Sequence, residues 1–125
     1  MDYSLKYSEK RDNVEVNILK ILTTDLAEEI VTESVKLARK NSCDSFLFDA
    51  RGAFLKADIW KSYKLFAYPE KMGFKRSDKI VLLIEKHKPM YKFAETVATN
   101  RGWELRCIDD ELEANEWLQT ENGSD

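Results

Sequence analysis

Glycine is scarce in this sequence, and its scarcity excludes two nucleotide-binding motifs. Only four glycines occur among the 125 residues, and each stands alone. A P-loop and a dinucleotide-binding fingerprint both need several glycines within a few positions, because the backbone must approach a phosphate closely. The chain carries neither motif, and we expect no cofactor.

Histidine, cysteine and long apolar runs are equally scarce. His87 is the single histidine, and no cysteine and histidine stand at metal-ligand spacing. Cys43 and Cys107 lie far apart, so we expect free, buried thiols rather than a disulfide. No apolar run approaches the ~20 residues of a membrane-spanning helix, and the N-terminus lacks a signal-like apolar segment. These absences predict a cytoplasmic protein, with peripheral membrane contact left open.

Charge is unevenly distributed along the chain. The net charge is −3, but residues 56–92 hold ten Lys/Arg and four Asp/Glu, a net of +6, which leaves −9 for the remainder. A basic third on an acidic protein indicates an anionic partner, although solvated lysines on helix faces would give the same count. Nucleic acid is not the expected partner, because the overall charge is negative and no recognition motif occurs.

Hydrophobic periodicity predicts five strands. Alternation over residues 3–7 and 14–18 predicts an antiparallel pair, and the change of parity over residues 19–22 predicts a bulge or a strand end buried on both faces. Residues 46–48 and 80–84 are apolar throughout, as in central strands of a sheet covered by helices. Residues 103–107 alternate, which predicts a more exposed strand.

Capping and helical spacing predict about four helices between and after these strands. Asp25 begins the first, Asp58 the second, Pro89 the third and Asp110 the fourth. The order is ββαβαβαβα, which predicts a mixed five-stranded sheet in one α/β domain over residues 1–118. Residues 119–125 are predicted to be a disordered tail.

Four stretches together suggest a family. They are residues 46–52 (FLFDARG), 80–83 (IVLL), 93–102 (FAETVATNRG) and the closing segment 108–118. In this order they resemble the SpoIIAA-like proteins, relatives of the STAS domain of anti-sigma-factor antagonists, over nearly the whole chain. The resemblance implies a STAS-type fold in a bacterial cytoplasmic protein without an established activity. The roles it suggests are binding of lipids or small ligands and peripheral membrane association.

One position departs from the antagonists that the chain resembles. Those proteins carry a phosphorylatable serine in an Asp-Ser segment after the third strand, whereas here Asp49 is followed by Ala50. Control by phosphorylation at this site is therefore not expected.

Several polar residues follow the predicted strands, where ligands of open α/β sheets bind. Arg51 can fork around a carboxylate or phosphate, or it can simply pair with a nearby acid while Asp49 caps the loop. His87 is a ligand candidate or an exposed loop residue. The ligand-binding candidates are Asp49, Arg51, Phe54, Trp60, Tyr63 and His87.

The segment 54–76 mixes aromatic and basic residues more densely than one helix face can bury. Rings beside lysines suit an anionic membrane, a dimer interface would use the same rings, and a core-facing helix with solvated lysines is the simplest alternative. The candidates for a membrane or partner surface are Lys56, Lys61, Lys64, Phe66, Tyr68, Phe74, Lys75 and Arg76.

Two functional hypotheses follow. The first is a non-enzymatic module that binds a small or lipid-like ligand or a membrane surface, with the aromatic helix as a lid. The second is a protein-interaction regulator or a homodimer without phosphoserine control. An enzyme is not expected, because it would require Asp49, Arg51 and His87 to converge.

Overall fold

The computed structural model describes residues 3–19, 21–56 and 67–120, and seven strands and three α-helices lie within them. The strands are β1 (Tyr3–Ser8), β2 (Asn13–Ile18), β3 (Ile21–Thr23), β4 (Ser45–Asp49), β5 (Phe54–Lys56), β6 (Lys79–Leu83) and β7 (Glu104–Ile108). The α-helices are α1 (Thr24–Lys40), α2 (Pro89–Asn100) and α3 (Glu111–Leu118), and a 3₁₀ helix spans Pro69–Met72.

Five of the strands form one mixed sheet in the order β1-β2-β4-β6-β7. β1 and β2 are antiparallel, and every other neighbouring pair is parallel. Phe46 lies opposite Val14 on one side and Ile80 on the other, so the apolar run of β4 occupies the middle of the sheet. The predicted mixed five-stranded sheet is confirmed.

A second, two-stranded sheet was not predicted. β3 and β5 pair in parallel, with Ile21 opposite Phe54. The parity change after Ile18 therefore marks the end of β2 and the start of a new strand, and the predicted bulge is wrong. Strands of three residues are too short to give a period-two signal.

The central strands β4 and β6 send alternate side chains to two separate cores. Phe46 and Phe48 join the larger core beneath α1 and α2. Leu47 and Val81 point to the other face, where a smaller core forms beneath α3. Helices on both faces explain why these runs are apolar throughout rather than alternating.

Helix starts follow the predicted capping chemistry in two of the three described helices. Pro89 occupies the first turn of α2, and the Asp110 carboxylate accepts a hydrogen bond of 3.1 Å from the Glu113 amide at the start of α3. For α1 the predicted cap, Asp25, is wrong. The Thr23 hydroxyl accepts from the Leu26 amide at 3.2 Å, because the chain is still extended at Thr23. The helix predicted from Asp58 falls on residues outside the described part.

Both cysteines are free and buried, as predicted. Burial raises the pKa of Cys107 to about 12, with a further contribution from the nearby Glu95 carboxylate. Burial also raises the pKa of Cys43. Both thiols therefore stay protonated and unreactive at neutral pH.

The C-terminal segment is held to the sheet beyond the predicted domain boundary. The buried Lys79 ammonium donates to the carbonyl oxygens of Trp117 at 3.2 Å and Thr120 at 2.7 Å. The Gln119 side chain donates to the Arg11 carbonyl at 3.1 Å. Gln119 and Thr120 therefore belong to the domain rather than to the predicted tail.

Candidate functional site

The carboxyl ends of the strands bring two of the predicted ligand residues together. Arg51 donates to both oxygens of Asp49, with Nε to Oδ1 at 3.0 Å and Nη2 to Oδ2 at 2.8 Å. The same Nη2 donates to Glu111 of α3 at 2.8 Å, and the Arg51 amide donates to Asp49 at 3.1 Å. We call Asp49, Arg51 and Glu111 the carboxylate cluster.

Charge stays fixed on both members of the Asp49–Arg51 pair. Burial alone would raise the pKa of Asp49. The hydrogen bonds from the Arg51 side chain and backbone, together with the Arg51 charge, outweigh burial and lower this pKa. The hydrogen bond to Asp49 raises the pKa of Arg51 despite partial burial. Two carboxylates therefore already neutralise this guanidinium, which disfavours a further anion there.

His87 lies apart from the carboxylate cluster. Its Nε2 is 3.9 Å from the Asp109 carboxylate, and no described hydrogen bond or ion pair joins it to Asp49 or Arg51. It lines a separate groove of about 570 Å³ beside the edge strand β7, which also contains Lys92 and Arg106. Sequence reasoning identified only His87 of this groove.

The opposite end of the sheet gathers cations on aromatic rings. The Arg76 guanidinium lies 4.5 Å from the centre of the Trp103 ring. The Tyr68 ring carries Lys71 and Arg101, each 4.9 Å from the ring centre. We call Tyr68, Lys71, Lys75, Arg76 and Arg101 the basic surface; it combines three predicted surface residues with two cations that were not predicted to join them.

A buried ion pair supports the loop that carries this surface. Asp78 is fully buried, and its oxygens accept from Arg39 of α1 at 2.6 and 3.2 Å. Asp78 also accepts from the Lys75 amide at 2.7 Å, and Arg39 donates to the Gly73 carbonyl at 3.3 Å. The loop between the 3₁₀ helix and β6 is thereby tied to the end of α1.

Phe74, predicted to lie on the membrane or partner surface, belongs to the core instead. Its side chain is 7% exposed and meets the Phe46 ring edge-on, with 5.1 Å between ring centres. Gly73 turns the chain with a φ of +101°, and the loop that follows directs Phe74 toward the sheet. The sequence could not distinguish this ring from its neighbours, because every ring of segment 54–76 has a lysine within three positions.

Other candidates from the same segment have no described side chain. Phe54 and Lys56 lie in β5, where only the backbone is described. The remaining ones, Trp60, Lys61, Tyr63, Lys64 and Phe66, lie outside the described residues. Their predicted roles, including the aromatic lid, stay predictions.

An apolar cavity of about 140 Å³ lies in the larger core. Phe48 and Leu82 of the sheet, Met72 of the 3₁₀ helix, and Met90 and Ala94 of α2 are among the residues that line it. Met90 is 37% exposed, so the lining reaches the surface at the start of α2. The cavity was not predicted, because its walls come from elements far apart in the chain and each residue by itself has an ordinary core pattern.

Comparison with known proteins of solved structure identifies the fold. No family model and no curated protein matches the sequence. The structure is similar to that of an uncharacterised protein of the DUF3478 family with a SpoIIAA-like fold from Shewanella loihica PV-4, with a TM-score of 0.60, 15% identity and 93% of both chains covered. It is also similar to the anti-sigma factor antagonist SpoIIAA in its unphosphorylated form, with a TM-score of 0.57, 15% identity, and 94% of this chain and 97% of the other covered. The fold of this chain is SpoIIAA-like.

Within this SpoIIAA-like fold, Ala50 occupies the position after Asp49. Its side chain is buried, and its amide donates to the Leu83 carbonyl at 2.9 Å. A methyl group offers no oxygen that a kinase could phosphorylate, and the absence of phosphorylation control stays a prediction. None of the described helices is long and apolar enough to cross a membrane.

Proposed function

We propose that this chain is a non-enzymatic STAS-like module that binds a small apolar or lipid-like ligand in the cavity of its larger core. The observation that supports this proposal is the cavity itself, because it is concave, almost entirely apolar and open to the surface beside Met90, as ligand pockets are. Its volume of about 140 Å³ is enough for an aromatic ring or a short stretch of acyl chain.

The chemistry of the walls favours an uncharged ligand. Phe48, Leu82 and Met72 offer only carbon and sulfur surface. Tyr91 also lines the cavity, and burial raises the pKa of its hydroxyl, which keeps the phenol neutral. A charged ligand would lose its hydration here without gaining a partner.

A binding role also accords with the positions of the polar residues that were predicted to bind a ligand, because none of the described ones lines the cavity. Asp49 and Arg51 are committed to each other, and His87 lies in a different groove. Acid–base catalysis needs a titratable group within hydrogen-bond reach of the reacting atom, and Tyr91, whose pKa is raised by burial, is the single titratable side chain in the described cavity lining.

A substitution in α2 that fills the cavity tests this proposal. Ala94 lines the cavity and is buried, so Ala94→Leu should be tolerated in the fold and should displace the ligand. Native mass spectrometry of the full chain would look for co-purified mass. Benzene titration, followed by amide chemical shifts of Leu82 and Ala94, would measure cavity binding directly.

The matched control is Thr96→Leu, which adds the same side chain to the exposed side of α2. We expect benzene shifts in the wild type and in Thr96→Leu, and none in Ala94→Leu. Benzene binding that persists in a folded Ala94→Leu protein, or no binding by the wild type, would contradict the proposal.

A second candidate function is homodimerisation or docking to a protein partner through α2. Met90 and Phe93 are 37% and 47% exposed, and their i,i+3 spacing puts them side by side on one helix face. Sedimentation at increasing concentration tests this candidate, with Phe93→Glu as the disrupting variant. A concentration-dependent dimer that Phe93→Glu abolishes would favour it over the monomeric binding module.

A further inference from the structure

We infer that the basic surface at the amino ends of β6 and β7 docks this protein onto an anionic phospholipid bilayer. The inference goes beyond the proposed cavity ligand, because the cations and rings involved form a separate outer surface. It adds to the proposed function the place where the module would work, which is the surface of an anionic membrane.

The first step of the argument is that these cations are exposed. Lys71, Lys75, Arg76 and Arg101 are all solvent-exposed, and Tyr68 beside them is half-buried. In the described part of the chain no ion pair joins Lys71, Lys75 or Arg76 to a carboxylate. The positive charge of Lys71, Lys75 and Arg76 is therefore directed at the solvent.

The second step concerns how the cations are held. Arg76 rests on Trp103, and Arg101 and Lys71 rest on Tyr68. Rings hold a cation in place without cancelling its charge. A tyrosine among exposed cations also matches the headgroup level of a bilayer, where a ring with a polar tip is favourable.

The third step concerns the neighbouring acids. Within residues 68–76 the one acidic residue is Glu70, which is exposed. The next acid along the chain, Asp78, is fully buried and neutralised by Arg39. At the same strand ends, exposed Asp44 and half-buried Glu104 offset part of the positive charge. The chain carries a net charge of −3, so attraction to an anionic bilayer must come from a local surface. Screening limits that attraction to charges within about 10 Å of the headgroups.

A bilayer fits this surface better than a nucleic acid. Single-stranded nucleic acids need rings whose faces are open for stacking bases. Here the Trp103 ring is buried and covered by Arg76, and the Tyr68 ring is shared by two cations. Headgroups require only the cations.

The experiment is co-sedimentation of the full chain with vesicles of equal parts phosphatidylglycerol and phosphatidylcholine, against vesicles of phosphatidylcholine alone. Each basic residue close to an anionic bilayer strengthens binding roughly fivefold. Lys75→Gln with Arg76→Gln should therefore weaken binding about 30-fold. Wild-type binding should also fall at high salt and vanish on neutral vesicles.

The matched control removes the same charge elsewhere. Lys86→Gln with Lys88→Gln takes two exposed cations from the carboxyl end of β6, and binding should stay near the wild-type value. Arg76→Lys, which keeps the charge, should retain most of the affinity, and urea unfolding of each variant checks the fold.

Three results would overturn the inference. They are no binding of wild type to anionic vesicles, equal loss in the two paired variants, and binding to single-stranded RNA but not to vesicles. Failure of the cavity proposal is distinct, because Ala94→Leu should lose benzene and still sediment with anionic vesicles.

Discussion

The arginines at the two ends of the main sheet contact different kinds of partner. At the carboxyl ends of the strands Arg51 faces two carboxylates, Asp49 and Glu111, each at 2.8 Å. At the amino ends Arg76 lies on the neutral ring of Trp103 at 4.5 Å. A carboxylate cancels a guanidinium charge, whereas a ring holds the guanidinium and leaves its charge directed outward. Which end offers positive charge to a partner therefore depends on what each cation rests against, not on the number of cations.

Arg39 adds a third case beneath the basic surface. Its partner Asp78 is fully buried, whereas the Asp49 side chain is 22% exposed and Glu111 50%. Water screens the exposed pairs from both partners, but it reaches the Arg39–Asp78 pair only through Arg39, whose side chain is 30% exposed. The same ion-pair chemistry should therefore stabilise the fold strongly at Arg39 and weakly at Arg51.

Replacing each of these arginines by methionine should give the largest difference between the two ends. Arg39→Met leaves the Asp78 charge buried without its partner and should cost about 3–5 kcal/mol of unfolding free energy. Arg51→Met leaves exposed carboxylates in water and should cost no more than about 1 kcal/mol. Equilibrium urea unfolding measures both, and similar losses would show that burial does not separate the two pairs.

The loop beneath the basic surface should be sensitive at Gly73. Both Gly73 and Gly102 have positive φ, but a Cβ at Gly73 would come 3.0 Å from Val35 Cγ1, and one at Gly102 would meet nothing within 4 Å. Gly102→Ala should cost about 1 kcal/mol from backbone strain. Gly73→Ala should cost about 2–4 kcal/mol, because crowding in a packed core is added.

Thermal or urea unfolding distinguishes these two glycine variants. Val35→Ala removes the crowding methyl groups. Adding Gly73→Ala to Val35→Ala should therefore cost less unfolding free energy than Gly73→Ala costs in the wild type. Equal costs for Gly73→Ala and Gly102→Ala would show that the Val35 contact is not restrictive.

The smallest expected effect is the pH dependence of the carboxylate cluster. Arg51 lowers the pKa of Asp49 from its ordinary value of 3.8. The pair therefore stabilises the folded state above about pH 4, and this contribution is lost as pH falls through the lowered pKa. The stability difference between wild type and Arg51→Met should shrink from neutral pH to below about pH 3. A difference that does not change with pH would place the stabilisation elsewhere.

Prediction from sequence succeeded where one strand or helix carries its own signal. The apolar run of β4 predicted a central strand, and Pro89 and Asp110 predicted the starts of α2 and α3. It failed where two distant segments had to meet. The pairing of β3 with β5, the burial of Phe74 against Phe46 and the contact of Arg101 with Tyr68 each join residues that no local pattern connects.

The amino-acid sequence by itself determined the order of the five main-sheet strands and the three described α-helices, the mixed sheet and the excess of positive charge in residues 56–92. These follow from periodicity, capping and composition, which act over a few neighbouring residues. Only the tertiary structure decided which cations are neutralised and which stay on rings, and where the core leaves a cavity. Ion pairing, stacking and packing depend on distances of a few ångströms between residues that may be sixty positions apart, as Arg51 and Glu111 are.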